Sequence, residues 1–146
     1  MAYNYKNELA IIGLNQQANP QKTDLINYAT TAQHFIASGG IIVNVGTVPA
    51  PINVAASTDP VSLVLLQGAF TVAQANNAAA FNWVQPTCVP INLTSAQIIT
   101  IFNAVTAFVQ STFATLASVI AAVNAGTVTI TAQVDSFASP AWPVNS

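Results

Sequence analysis

The sequence predicts a mainly α-helical protein with a small β element. A long helix over about residues 95–125 packs antiparallel on a shorter helix over about residues 60–79, a short β-hairpin lies between them, and a mixed α/β extension precedes both. Three observations predict this. Over residues 93–126, Ile98, Ile101, Phe102, Val105, Phe108, Val109, Phe113, Leu116, Val119, Ile120 and Val123 recur three or four residues apart, one stripe of an α-helix. The run Ser57-Thr58-Asp59-Pro60 is a strong helix opening, with Asp59 able to cap and Pro60 at the first helical position, where its missing donor does no harm. Between these stretches, Phe81, Trp83 and Val84 and then Cys88, Val89 and Ile91 flank Gln85-Pro86-Thr87, which reads as a hairpin or extended pair.

Taken in order, KNELAIIGL near the start has the spacing of a short helix, with Leu9 and Ile12 facing inward, and residues 15–20 form a polar break. Thr23 is expected to cap a helix whose Leu25, Ile26, Ala29, Ala32, Phe35 and Ile36 face one way, with Asp24 in the first turn, where the helix dipole favours an acid. Gly39 and Gly40 end it. Ile41–Val45 is short and β-branched, hence a strand, and the GTVPAP that follows cannot be helical. This places a boundary there, giving an attachment or assembly segment over residues 1–51 and a helical module over residues 52–146. In the shorter helix Val64, Leu65, Gly68, Ala69, Val72 and Ala73 keep one side small or apolar. The long helix opens with a capping box, Thr94 with Gln97, and a Leu93–Ile98 staple, and Gly126 suits the left-handed position past its end. Residues 127–131 alternate like a strand, whereas residues 131–137 have the pattern of a capped short helix; the helix is the preferred reading. Trp142, between two prolines, is expected to be pinned against the body.

Charge is the unusual property of this chain. Two Lys, no Arg and four acids make it 4% charged, and no charged residue occurs between Asp59 and Asp135; soluble domains carry roughly 25%. With 53% hydrophobic residues the chain is not of disordered composition. Lys6 and Lys22 alone form no basic patch, which argues against nucleic-acid binding. Cys88 is the single cysteine, so neither an intrachain disulfide nor a zinc set can be built, and it is expected to be a small buried apolar residue. The N-terminus lacks the pattern of a secretory signal. Residues 98–123 are long enough and uncharged enough to cross a membrane, but Thr100, Asn103, Thr106, Gln110 and Ser111 crowd the segment and no Lys or Arg flanks it, which argues against a span.

No residue pattern selects a catalytic site or a metal site. His34 is the only histidine and has no nucleophile or orienting carboxylate at a telling distance in sequence. Glu8, Asp24, Asp59 and Asp135 each fall near a predicted helix start, where capping or the dipole accounts for them. Asn92-Leu93-Thr94 matches a glycosylation sequon, but Thr94 is the helix cap. Trp83, Trp142, Tyr3, Tyr5 and Tyr28 could form a sugar-binding platform, yet they are scattered, and packing in a core or interface is preferred. No cofactor is expected. The face of the long helix opposite its apolar stripe carries Thr100, Asn103, Ala107, Gln110, Ser111, Ala114 and Ser118 and no charge. A face of this kind is suited to close packing, with another copy of the chain as the preferred partner.

From Ile52 onward several features occur in an order that resembles a small domain of unknown function found in tailed phages and prophages, often in or beside tail-fibre genes. They are Thr58-Asp59 with Ser62 and the apolar helix after them, Trp83, Leu93-Thr94-Ser95-Ala96-Gln97-Ile98, Val109-Gln110 with Phe113, Ile120-Ala121-Ala122, and Trp142-Pro143. Pro60 and Phe108 stand where such domains often have a basic residue and a histidine. The resemblance implies a virion or fibre-associated protein and assigns no catalytic residue. The expectation is therefore a non-enzymatic component of a tailed-phage virion, a tail-fibre or appendage subunit, with a capsid decoration protein and a holin-like membrane-acting protein as alternatives. Its partners would be copies of itself, with a trimer favoured, and other virion proteins. The interface residues would be Trp83, Phe102, Asn103, Ala107, Phe108, Gln110, Phe113 and Ala114.

Overall fold

A computed structural model describes residues 20–46, 51–85 and 90–145. The helix expected in KNELAIIGL, most of the polar break after it, Glu8, Tyr3, Tyr5, Cys88 and the Pro86–Thr87 turn lie outside the described residues. The elements are α1 (Lys22–Ser38), β1 (Ile41–Asn44), β2 (Asn53–Ala56), α2 (Pro60–Ala75), β3 (Ala80–Val84), β4 (Pro90–Thr94), α3 (Ser95–Ala125) and α4 (Thr131–Asp135). This is a mainly helical chain with two small antiparallel strand pairs, as the pattern predicts. Two compact units divide it: one takes residues up to Ala37 together with Val109–Val144, the other Ser38–Phe108 with Asn145.

In the unit containing Ser38–Phe108, β1 and β2 pair with Val43 opposite Val54 and Asn44 opposite Asn53. Strand β2 is missing from the sequence-based expectation: Asn-Val-Ala-Ala has little β propensity, and pairing, not propensity, makes it a strand. The turn into β1 is tightly specified. Gly40 has φ +78°, its N–H donates to Thr58 Oγ1 at 2.8 Å, and its carbonyl accepts from Asn145 Nδ2 at 3.0 Å. Helix α2 stops at Ala75, four residues short of the expected end, because Asn76 leaves the helix as C-cap and its Oδ1 accepts from Ala78 N. Its buried face also differs from expectation. Leu66 and Ala73 are buried, with Leu63 and Ala69 packed beside them, while Val64, Leu65 and Val72 are exposed. Apolar residues occur on every side of α2, among only four polar ones, Ser62, Gln67, Thr71 and Gln74, so the period alone leaves its inner face undetermined.

β3 and β4 pair with Phe81 opposite Leu93 and Trp83 opposite Ile91, and carry the chain back so that α3 starts beside the end of α2. Ser95 Oγ lies 2.7 Å from the Asn76 carbonyl and 3.2 Å from that of Ala79, which fixes this antiparallel corner. The predicted capping box is present: Thr94 N donates to Gln97 Oε1 at 2.9 Å, and Gln97 N donates to Thr94 Oγ1 at 3.3 Å. Leu93, Ile98, Ile101 and Val105 join Leu66 and Ala73 in one buried cluster, and Phe102 stacks on Phe70 with ring centroids 3.9 Å apart.

In the other unit α1 begins at Lys22, so Thr23 lies inside the first turn; the back-bond comes from Asp24, whose Oδ2 accepts from Gln21 N at 2.9 Å. Tyr28 and Gln33 are buried on α1 where Phe35 was expected, and Phe35 is only half-buried. On α3 the buried positions beyond Val109 are Thr112, Thr115, Val119 and Val123, and Phe113 is 51% exposed, so the inward stripe runs through two threonines. Gly126 has φ +77° and ends α3. The ambiguous stretch after it is helical over Thr131–Asp135, with Gln133 Oε1 accepting from Thr129 N at 2.7 Å. Trp142 is half-buried and donates from Nε1 to the Val134 carbonyl at 2.8 Å.

Candidate functional site

The unit containing Ser38–Phe108 holds a cleft of about 380 Å³, within the range of small-molecule sites. Its apolar walls are Leu65, Leu66 and Ala69 of α2, Phe81 and Trp83 of β3 and Ile98 of α3; its polar side chains are Ser57, Ser62, Asn82 and Gln85. Two of these side chains are held by one residue of β2, Ala55. Trp83 Nε1 donates to the Ala55 carbonyl at 3.3 Å, and Ala55 N donates to Gln85 Oε1 at 3.3 Å. The outer edge of β2 is thus capped at Ala55 by side chains from β3 and the residue after it.

Beside the cleft sits the Asp59 cap. Its Oδ1 accepts from Val61 N at 3.0 Å and Ser62 N at 3.1 Å, and its Oδ2 accepts from Ser57 Oγ at 2.6 Å and Ser62 Oγ at 2.5 Å. Four donors on one carboxylate, led by the Ser57 and Ser62 hydroxyls, hold Asp59 far below the usual carboxylate range. The sequence shows Asp59 as a cap; that its two serines also edge a cleft depends on a hairpin some 25 residues further on and is not visible locally.

The residues expected to form an interface separate into two groups. Trp83 and Phe102 pack against the buried cluster. Asn103, Ala107, Gln110, Phe113 and Ala114 are exposed along α3, and Phe108 is half-buried. Thr106, Ala117 and Ala121 are exposed at matching helical spacing, so this face is wholly uncharged. Thr100 and Ser118 donate their hydroxyl protons to the Ala96 and Ala114 carbonyls of the same helix, at 3.0 and 3.1 Å, which further reduces what α3 offers to water. By length and composition α3 is able to cross a membrane.

His34 is exposed, its ring edge-on to Phe35 at 6.2 Å. Asp135 is the last residue of α4, not near its start, and accepts from Tyr28 Oη at 2.9 Å. Among the described residues no three His, Cys, Asp or Glu side chains come together.

Comparison with curated proteins and with solved structures finds no match. Comparison with protein families finds one whose description is "Domain of unknown function (DUF4376)", matched over residues 16–138. That span takes in every element from α1 to α4, and the chain therefore belongs to the DUF4376 family.

Proposed function

We propose that this chain is a non-enzymatic structural component of a tailed-phage virion, a tail-fibre or other appendage subunit that works by self-association and docking. The observation that carries this reading is the exposed face of α3, from Asn103 to Ala121, which presents alanine, threonine, amides and one phenylalanine and no ionised group. Surfaces meant for water carry interspersed charges, and a face without them is suited to cover by protein. The phage setting rests on the ordered resemblance of residues 52–143. In an assembly of this kind the exposed ring of Phe113, at the margin of this face, is held between copies, while Phe102 packs against the buried cluster.

Sedimentation of the purified chain over a wide concentration range tests this. A defined oligomer, with a trimer favoured, is the expected result, and a monomer at every concentration overturns the reading. A membrane-acting role is the competing reading, because α3 has 31 residues and is apolar enough to span a bilayer. Partition into detergent in place of a soluble oligomer decides for it.

A further inference from the structure

We propose that the cleft between α2 and β3 is a binding site for a neutral pyranose sugar. The inference stands apart from the assembly proposed above, since every wall of the cleft belongs to one compact unit of one chain.

The argument begins with charge. Among the described residues no Lys, Arg or His lines the cleft, so a carboxylate, phosphate or sulfate ligand finds no counter-charge there. An ammonium ligand fares no better. Among the described residues the carboxylate beside the cleft is Asp59, and its two oxygens already accept four hydrogen bonds, from Val61 N, Ser62 N and the Ser57 and Ser62 hydroxyls. A carboxylate has about four lone-pair positions, so Asp59 has no acceptor position left for a cation. The ligand is therefore uncharged.

The polar groups of the cleft come next. Gln85 Oε1 is oriented by Ala55 N, which leaves the two protons of Nε2 without a hydrogen-bond partner among the described residues. The Ser57 and Ser62 hydroxyls have given their protons to Asp59, so each presents only acceptor lone pairs. The cleft thus offers donors at Gln85, acceptors at the two serines and, at its exposed rim, the amide of Asn82, which can do both. A purely apolar ligand would leave all of them unpaired at about 1–3 kcal/mol per buried group. A hydroxyl, which both donates and accepts, satisfies either side.

Finally, the walls require an apolar surface on the same ligand. Trp83 is fixed at its Nε1 edge by the Ala55 carbonyl, and its half-buried ring lines the cleft with Phe81 and Leu65. A ligand with several hydroxyls around its rim and a face of C–H groups meets both demands, and a pyranose is the simplest such molecule. An aromatic side chain offers it a flat apolar partner.

Calorimetric titration of the full chain with neutral methyl hexosides tests the proposal. Saturable binding is expected from at least one of them, at millimolar concentration for a single sugar unit. Gln85→Glu keeps the oxygen that accepts from Ala55 N but removes both donors and adds a negative charge; it should weaken binding at least tenfold. Ala69→Leu adds bulk at a residue that lines the cleft and should abolish binding. Circular dichroism confirms that both variants are folded. A glucuronide and an amino sugar should each bind at least tenfold more weakly than the best neutral hexoside. The proposal is overturned if no hexoside binds, if binding survives both substitutions, or if a charged sugar binds as well as a neutral one.

Discussion

Gly68 and Gly39 show how one residue type has opposite meanings at two places. Gly68 sits in the middle of α2, and a Cβ built there meets nothing within 4 Å. Its backbone is helical, so the residue contributes only the entropy that glycine loses on folding, roughly 1 kcal/mol relative to alanine. Gly68→Ala is therefore expected to raise stability by about 1 kcal/mol, read as a higher denaturant midpoint at unchanged slope. A fall in the midpoint would mean that something packs against this position. At Gly39 a Cβ would lie 2.7 Å from Asn145 Nδ2, the side chain that donates to the Gly40 carbonyl. The sequence marks Gly39-Gly40 as a helix stop but cannot show that Asn145, 105 residues away in the chain, is held there.

At the scale of the element, the inner stripe of α3 beyond Val109 is the informative case. Thr112 Oγ1 accepts from Gln33 Nε2 at 2.8 Å and donates to the Val109 carbonyl at 2.7 Å, and Thr115 Oγ1 lies 3.1 Å from the carbonyls of Ser111 and Ala141. Phe113 is one residue from Thr112 and fits the helical period as well, so hydropathy selects the phenylalanine. The fold selects the threonine, because a buried glutamine on α1 needs an acceptor at that level, and local periodicity carries no trace of a partner 79 residues away. Thr112→Val keeps the shape and removes that acceptor. It should destabilise the chain by about 1–3 kcal/mol, and Gln33→Leu in the same chain should recover most of the loss. A thermodynamic cycle of the two single variants and the double variant reads this coupling, and additive losses would rule it out. The caps of α2 and α3, by contrast, are written in contiguous residues, and Asp59 and the Thr94–Gln97 pair stand where the sequence places them.

For the whole molecule, the absence of charge over the chain from Asp59 to Asp135 leaves an exposed uncharged surface on each of two described helices, and the two are separable by mutation. One is the α3 face, which was legible in the sequence because a strict period left an uncharged back to a long helix. The other is on α2, where Val61, Val64 and Leu65 are about 70% exposed, and it was not legible, because a helix with apolar residues on every side does not declare its outer one. If α3 carries the association proposed here, Ala107→Glu and Ala114→Glu each place an unpaired charge inside the contact between copies. Each should raise the dissociation constant at least tenfold, about 1.4 kcal/mol, because an uncompensated buried charge is costly. Both positions are exposed in the single chain, so the stability of the monomer should stay within about 0.5 kcal/mol. Val64→Lys and Val72→Lys serve as the counter-test on α2 and should leave the sedimentation profile unchanged. The reverse pattern, with α2 lysines dissociating the oligomer and α3 glutamates leaving it intact, would move the contact to Val61, Val64, Leu65 and Val72. It would leave the hydroxyls of Thr100 and Ser118, turned back onto their own helix, as a feature of α3 alone.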